Sequence, residues 1–226
     1  MDLKDCMVVL EAGYGTNTAL ILQGNVVASS TMPDGADMLT EIEVADGRVA
    51  IRDTYLSLSY VGKVNEKTLY DDLASKMGVA VQYSAGCVFG DIPDGYAYIG
   101  KACNCLQALT ENNGKTYSIQ NGVLQIFCPG EPVNKRGYLI SKDTGLLDIP
   151  KRITISEGEA TDSGTTVSQT GWEIRYLLNG AIGVNDMIRL ESDIARGYYR
   201  VRKITIDGDN LEGDWTCTAQ IMEVTA

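Results

Sequence analysis

Asp207, Asp209, Asn210, Glu212 and Asp214 form the densest run of oxygen-bearing side chains in the sequence, and the chemistry open to such a run is capture of a hard cation. A calcium loop wants oxygens at alternating positions, a glycine at the sixth and a carboxylate at the twelfth. Here the glycines are Gly208 and Gly213, so the register is wrong, and a solvated turn between two strands is the favoured reading, with a loosely held cation as the alternative. Glu11-Ala-Gly-Tyr-Gly15 has the outline of a phosphate-cradling loop, but lacks a third glycine, a following helix and a Gly-Lys-Ser/Thr run. It reads as a β-turn whose glycines supply positive φ. Tyr198, Arg200, Arg202 and Trp215 are residue types that protein interfaces enrich. In an alternating strand Tyr198, Arg200 and Arg202 share one side, with Tyr199, Val201 and Lys203 on the other.

Composition narrows the remaining chemistry. The chain of 226 residues has no histidine, which removes the commonest general base and the commonest metal ligand. Serine or cysteine nucleophiles would need another base, and a Cys/His zinc site is ruled out. Cys6, Cys87, Cys103, Cys105, Cys128 and Cys217 include no Cys-x-x-Cys pair and read as free thiols in a chain folded in a cytoplasm. Carboxylate pairs for glycoside hydrolysis are always on offer among 30 acidic residues, but none stands in a convincing pocket-like context with aromatic neighbours. The expectation is therefore no catalytic residue, no metal and no cofactor. With 19 basic residues and a formal charge of -11, the balance disfavours nucleic acid and anionic membrane, so a protein partner fits Tyr198 and its neighbours better. The N-terminus does not read as a signal peptide, and no apolar run approaches membrane-spanning length.

Three textures follow one another along the chain. Residues 1–64 are strand-like: Met7–Leu10, Thr18–Gln23 and Asn25–Ala28 flank a turn at Glu11–Gly15 and a bend or bulge at Gly24. Thr40–Ala45 places Ile42 and Val44 on one face and Glu41 and Glu43 on the other, before a turn at Asp46-Gly47. Leu56 and Leu58 alternate with serines in a further strand, so this region predicts half-buried antiparallel sheet. Residues 65–132 predict a small α/β domain. Asn65 caps a helix with Leu69, Leu73 and Met77 on one face and Gly78 as its stop. A second helix runs from Gly100 to Leu109, burying Ala102, Leu106 and Leu109, and Asn121-Gly122 joins Tyr117–Ile119 to Val123–Phe127 in a hairpin. Residues 133–226 predict a β-barrel or sandwich from Tyr138–Ile140, Lys151–Ile155, Trp172–Leu177, Met187–Leu190, Tyr198–Ile206 and Trp215–Glu223. The polar stretch Glu157–Gln169 reads as a loop or long hairpin tip.

The order of short elements carries a resemblance. Val8-Val-Leu-Glu-Ala-Gly-Tyr14, Leu20-Ile-Leu-Gln-Gly-Asn25 and Ala45-Asp-Gly47 come first, followed by Gly78, Gly100, Tyr117-Ser-Ile-Gln120 and Gly122-Val-Leu-Gln-Ile126. Gly145-Leu-Leu-Asp-Ile-Pro150, Leu177-Leu-Asn179 and Gly208-Asp209 through Asp214-Trp215 close the series. In this order the chain resembles, over nearly its whole length, the baseplate hub or tail-tip proteins of phages and prophages. The resemblance implies a mainly β fold of the α+β kind, in which barrels related to the tail-tube protein flank an inserted small α/β domain. It implies a non-enzymatic virion protein, assembled in the host cytoplasm as a homotrimer. In such a ring one face meets the hexameric tail tube and the other receives the trimeric spike. Only Met1 to Met7 precede the Val-Val-Leu-Glu-Ala-Gly-Tyr run, fewer than family members carry. An incomplete first barrel is therefore expected, its missing strands coming from a neighbouring subunit, a separate polypeptide or sequence upstream. Tyr198, Arg200, Arg202, Trp215 and the Glu157–Gln169 loop are the expected partner surfaces. A receptor- or glycan-binding tail module and a tail-associated cell-wall hydrolase are the alternatives.

Overall fold

The structure, a computed structural model, describes residues 6–47, 54–157 and 167–224. The chain divides into two compact units, Met1–Ala12 with Leu20–Pro129, and Gly13–Ala19 with Gly130–Ala226. Among the described residues the fold is mainly β with two helices, the class the sequence predicts.

A three-stranded sheet opens the fold, in the order β1 (Met7–Tyr14), β2 (Asn17–Asp34) and β3 (Asp37–Ala45). β1 continues through the Glu11–Tyr14 stretch, and the reversal falls at Gly15, whose φ is 60°. β2 is a single strand of 18 residues, so Gly24 does not divide it as the sequence suggested. The glycine is required by proximity, since a Cβ there would lie 2.6 Å from the Ala45 carbonyl oxygen. The irregularity falls two residues later, as a register shift between Val26 and Ala28 against β3.

The α/β part follows, through β4 (Tyr55–Tyr60), β5 (Val64–Asn65), α1 (Glu66–Met77), β6 (Ala80–Tyr83), β7 (Asp91–Ile92), β8 (Tyr96–Lys101), α2 (Ala102–Asn112), β9 (Thr116–Gln120) and β10 (Val123–Phe127). The Asn65 side chain accepts from the Lys67 N–H, and Gly78 closes α1 in the left-handed conformation at φ 71°. Leu69, Tyr70, Leu73 and Met77 are buried beneath it. α2 begins two residues later than expected, because Gly100 and Lys101 complete β8 by pairing with Leu56 and Tyr55. Its buried stripe, Ala102, Leu106 and Leu109, is the expected one. Leu56 and Leu58 of β4 join this same core, with Leu124 and Ile126 of β10. β6, β10 and β9 form a sheet in that order, and Asn121 and Gly122 turn the hairpin at φ 52° and 74°. The Asn121 Oδ1 accepts from the Gln23 N–H at 2.9 Å, and the Asn121 N–H donates to the Asp46 carboxylate.

The second unit is built on one sheet of six strands: β11 (Asn134–Ser141), β12 (Lys151–Glu157), β13 (Val167–Leu177), β14 (Asp186–Glu191), β15 (Arg196–Gly208) and β16 (Trp215–Glu223). Their order is β11-β14-β15-β16-β13-β12, parallel between β11 and β14 and antiparallel elsewhere. All six strands read from the sequence are present. The closed barrel is not seen among the described residues: β11 and β12 stand at opposite ends of the hydrogen-bonded order. One face carries the core, with Ile140, Ile188, Leu190, Tyr199, Val201, Ile221, Ile174, Tyr176 and Cys217 buried. β12 and β13 pair outward as far as Glu157 opposite Val167. Residues 158–166, most of the expected Glu157–Gln169 partner loop, lie outside the described residues. Among the described residues no helix is long and apolar enough to cross a membrane.

Candidate assembly interface

β15 carries three of the four residues singled out for partner contact. Tyr198 is 54% exposed and lies in a cross-strand row with Arg189 of β14 and Leu139 of β11. Gly137 lacks a side chain beside this row, leaving a recess of about 510 Å³ lined by Gly137, Leu139, Met187, Arg189 and Tyr198. Arg200 shares the side of Tyr198 but is buried, paired in register with Met187 and Met222. Arg202 does not continue that side by simple alternation, because the register against β16 shifts between Val201 and Lys203. A bulge adds one residue to one strand and so breaks the period-two rule. The structure therefore brings Tyr198 to an open recess and encloses Arg200.

Trp215 opens β16 and is half-buried; its indole N–H donates to the Asp209 carbonyl at 2.7 Å. The acidic run before it behaves as a turn. Asp209 Oδ1 accepts from the Leu211 N–H, and Asp214 pairs with Arg175 at 2.6 Å. Among the described residues no group of three or more Asp, Glu or Cys side chains is placed to hold a metal ion.

Sequence reading missed the exposed apolar side chains on the distal half of the β2–β3 ribbon. In register, Val26 pairs with Val44, Ser29 with Ile42, Thr31 with Thr40 and Pro33 with Met38. Val26 is fully buried, yet the same face continues outward to Ile42 and Met38, which are 48% and 65% exposed. The expected alternation of Ile42 and Val44 against Glu41 and Glu43 is real, but the expected burial stops at Val44. β1 adds exposed Met7, Val9 and Leu10. The missed signal was the length of β2, hidden by Gly24.

In the second unit a groove of about 430 Å³ runs between the β11–β12 connection and the turn after β14, lined by Leu146, Leu147, Ile149 and Ile194 among acidic neighbours. It contains no aromatic ring of the kind on which sugars stack. At the start of β14 Asp186 is buried, accepting from the Asn134 amide at 2.7 Å and the Gly183 N–H at 2.8 Å. Burial raises its pKa above the usual 3.8, partly countered by those two donors. A raised folded-state pKa means a contribution present below the unfolded value and lost as pH rises through the folded one. Asp186→Asn is therefore expected to gain on the native chain in melting temperature as pH rises above the ordinary carboxylate value of 3.8. Tryptophan fluorescence reads this unit alone, since Trp172 and Trp215 both belong to it. Parallel curves for the two proteins would contradict the assignment.

No family model and no curated protein matches the chain. Solved structures do. The 43 kDa tail protein of prophage MuSo2 from Shewanella oneidensis aligns at TM-score 0.58 and 10% identity, over 91% of this chain and 79% of its own. A tail protein from Neisseria meningitidis MC58 aligns at TM-score 0.59 and 8% identity, over 98% and 85%. A type VI secretion component of E. coli, itself structurally similar to the T4 bacteriophage tail proteins gp27 and gp5, aligns at TM-score 0.61 and 9% identity. That match covers 96% of this chain and 63% of the secretion component. The chain has the fold shared by these phage and prophage tail proteins, as the order of its sequence elements implied.

Proposed function

We propose that the chain is a structural protein of a phage tail that assembles as a trimeric hub near the tail tip and joins the tail tube to the central spike. The observation that carries this reading is the match of the fold to tail proteins over more than nine-tenths of the chain. The β2–β3 ribbon supports it physically, because an apolar face that runs out of its own core needs cover from another chain. The edge strand β11 and the Tyr198 recess are further surfaces for neighbouring tail proteins. The role needs no catalytic group, cofactor or nucleic acid.

Light scattering over a wide concentration range tests the assembly, with a mass three times that of the chain as the expected result. Met38→Asp with Ile42→Asp places two charges on the outward ribbon face and is expected to weaken association by roughly tenfold per site. Circular dichroism of the variant should stay native, because both side chains are largely exposed in the single chain. A native chain that stays monomeric at every concentration and also fails to associate with tube or spike protein would overturn the hub reading. Association indifferent to the ribbon substitutions would move the interface elsewhere.

A further inference from the structure

We propose that Cys87 and Cys128 are a dithiol that closes into a disulfide under oxidising conditions, a covalent modification site in the α/β part of the first unit. Their sulfurs lie 3.8 Å apart, although the residues are 41 apart in sequence. β6 and β10 run parallel and in register up to Tyr83 opposite Ile126, and the Ser84 N–H donates to the Ile126 carbonyl at 2.9 Å. A turn then returns the Cys87 N–H to the Ser84 carbonyl at 3.1 Å. Cys128 directly follows β10. Two chain segments fixed by backbone hydrogen bonds thus present their thiols to each other. Bond formation at about 2.05 Å requires the sulfurs to approach by roughly 1.8 Å, a movement available at the end of a strand and in a turn.

Both thiols are half-buried, so a small oxidant can reach them, whereas Cys105 and Cys217 are buried. The reaction is thiol–disulfide exchange with a small-molecule disulfide. One cysteine thiolate attacks a sulfur of that disulfide and displaces a small thiol, leaving a mixed disulfide on the protein. The second cysteine thiolate attacks the protein sulfur of the mixed disulfide and expels the other small thiol. The two protein thiols lose two electrons and two protons, and the small disulfide takes up both to become two thiols.

The linkage would fix the segment after β6 that packs on α1 and on Lys115, just beyond α2. There Gly90 accepts from the Glu66 N–H at 2.9 Å, Phe89 meets the Tyr83 ring edge-on at 4.9 Å, and the Lys115 ammonium lies 5.3 Å from the Phe89 ring centre. Linking residues 41 apart in sequence restricts the unfolded chain, so the oxidised protein should melt higher by about 10 °C.

The test uses the full chain with Cys6→Ser and Cys103→Ser, which removes the other accessible thiols. It is treated with glutathione disulfide at about pH 8, where thiolate is present. The expected result is a mass lower by about 2 Da, a cross-linked peptide joining Cys87 to Cys128, and the higher melting temperature. Adding Cys128→Ser should abolish the link and leave a glutathione adduct on Cys87, and adding Cys87→Ala should abolish it from the other side. Stable adducts without a link, unreacted thiols, or links between different chains would each overturn the proposal. This readout is independent of oligomeric state, so its failure leaves the hub reading intact.

Discussion

Replacing Lys115 by methionine is expected to cost the first unit about 3–5 kcal/mol, because it strands a buried carboxylate. Lys115 Nζ lies 2.7 Å from Glu66 Oε2, and the two side chains are only 5% and 10% exposed. Glu66 occupies the first turn of α1, where the helix dipole favours a negative charge, and its backbone N–H is held by Gly90. Methionine preserves the length and apolar stem of lysine but removes the charge. The remaining carboxylate is then left buried without its partner. Glu66→Gln combined with Lys115→Met should recover much of the loss, since an amide needs no counter-ion. Hydrogen exchange at α1 and α2 reports this unit. A deficit below about 1 kcal/mol would mean that water reaches the pair and screens it.

Gly171→Ala is expected to destabilise the second unit by about 1–3 kcal/mol, through overpacking alone. Gly171 is buried in β13 between β12 and β16, opposite Ile153 and Met222. A Cβ there would lie 2.5 Å from the Ile155 Cδ1 and 2.5 Å from the Ile221 carbonyl oxygen. The methyl end of Ile155 can turn aside, whereas the carbonyl is held in the sheet. Ile155→Val in the Gly171→Ala background should thus restore only part of the stability. Denaturant unfolding followed by tryptophan fluorescence measures both effects. Full rescue by Ile155→Val would show that the side chain, not the backbone, sets the limit.

Local signals in the sequence were read well where the physics is local. Asn65 and Gly78 bound α1 because a cap and a left-handed stop depend on their own residues. Asn121-Gly122 makes its hairpin for the same reason. The six strands of the second unit were legible from alternation and intervening turns. Errors arose where a distant neighbour decides. Gly24 resembles a strand breaker in sequence, yet its lack of a side chain serves the approach of Ala45. Gly100 and Lys101 suit a helix start, but pairing with β4 draws them into β8.

The candidate interface divides along the same line. Sequence alone determined that Tyr198 stands on a strand, that no histidine-based site exists, and that the order of elements matches tail proteins. Only the tertiary structure decided that Arg200 is enclosed, that a bulge displaces Arg202 from the alternation, and that the ribbon face beyond Val44 stays exposed among the described residues. It also decided that Cys87 and Cys128 meet. Alternation, caps and turns are written in neighbouring residues, whereas burial, bulges and thiol contacts depend on which strand lies alongside, and pairing partners dozens of residues apart leave no local mark.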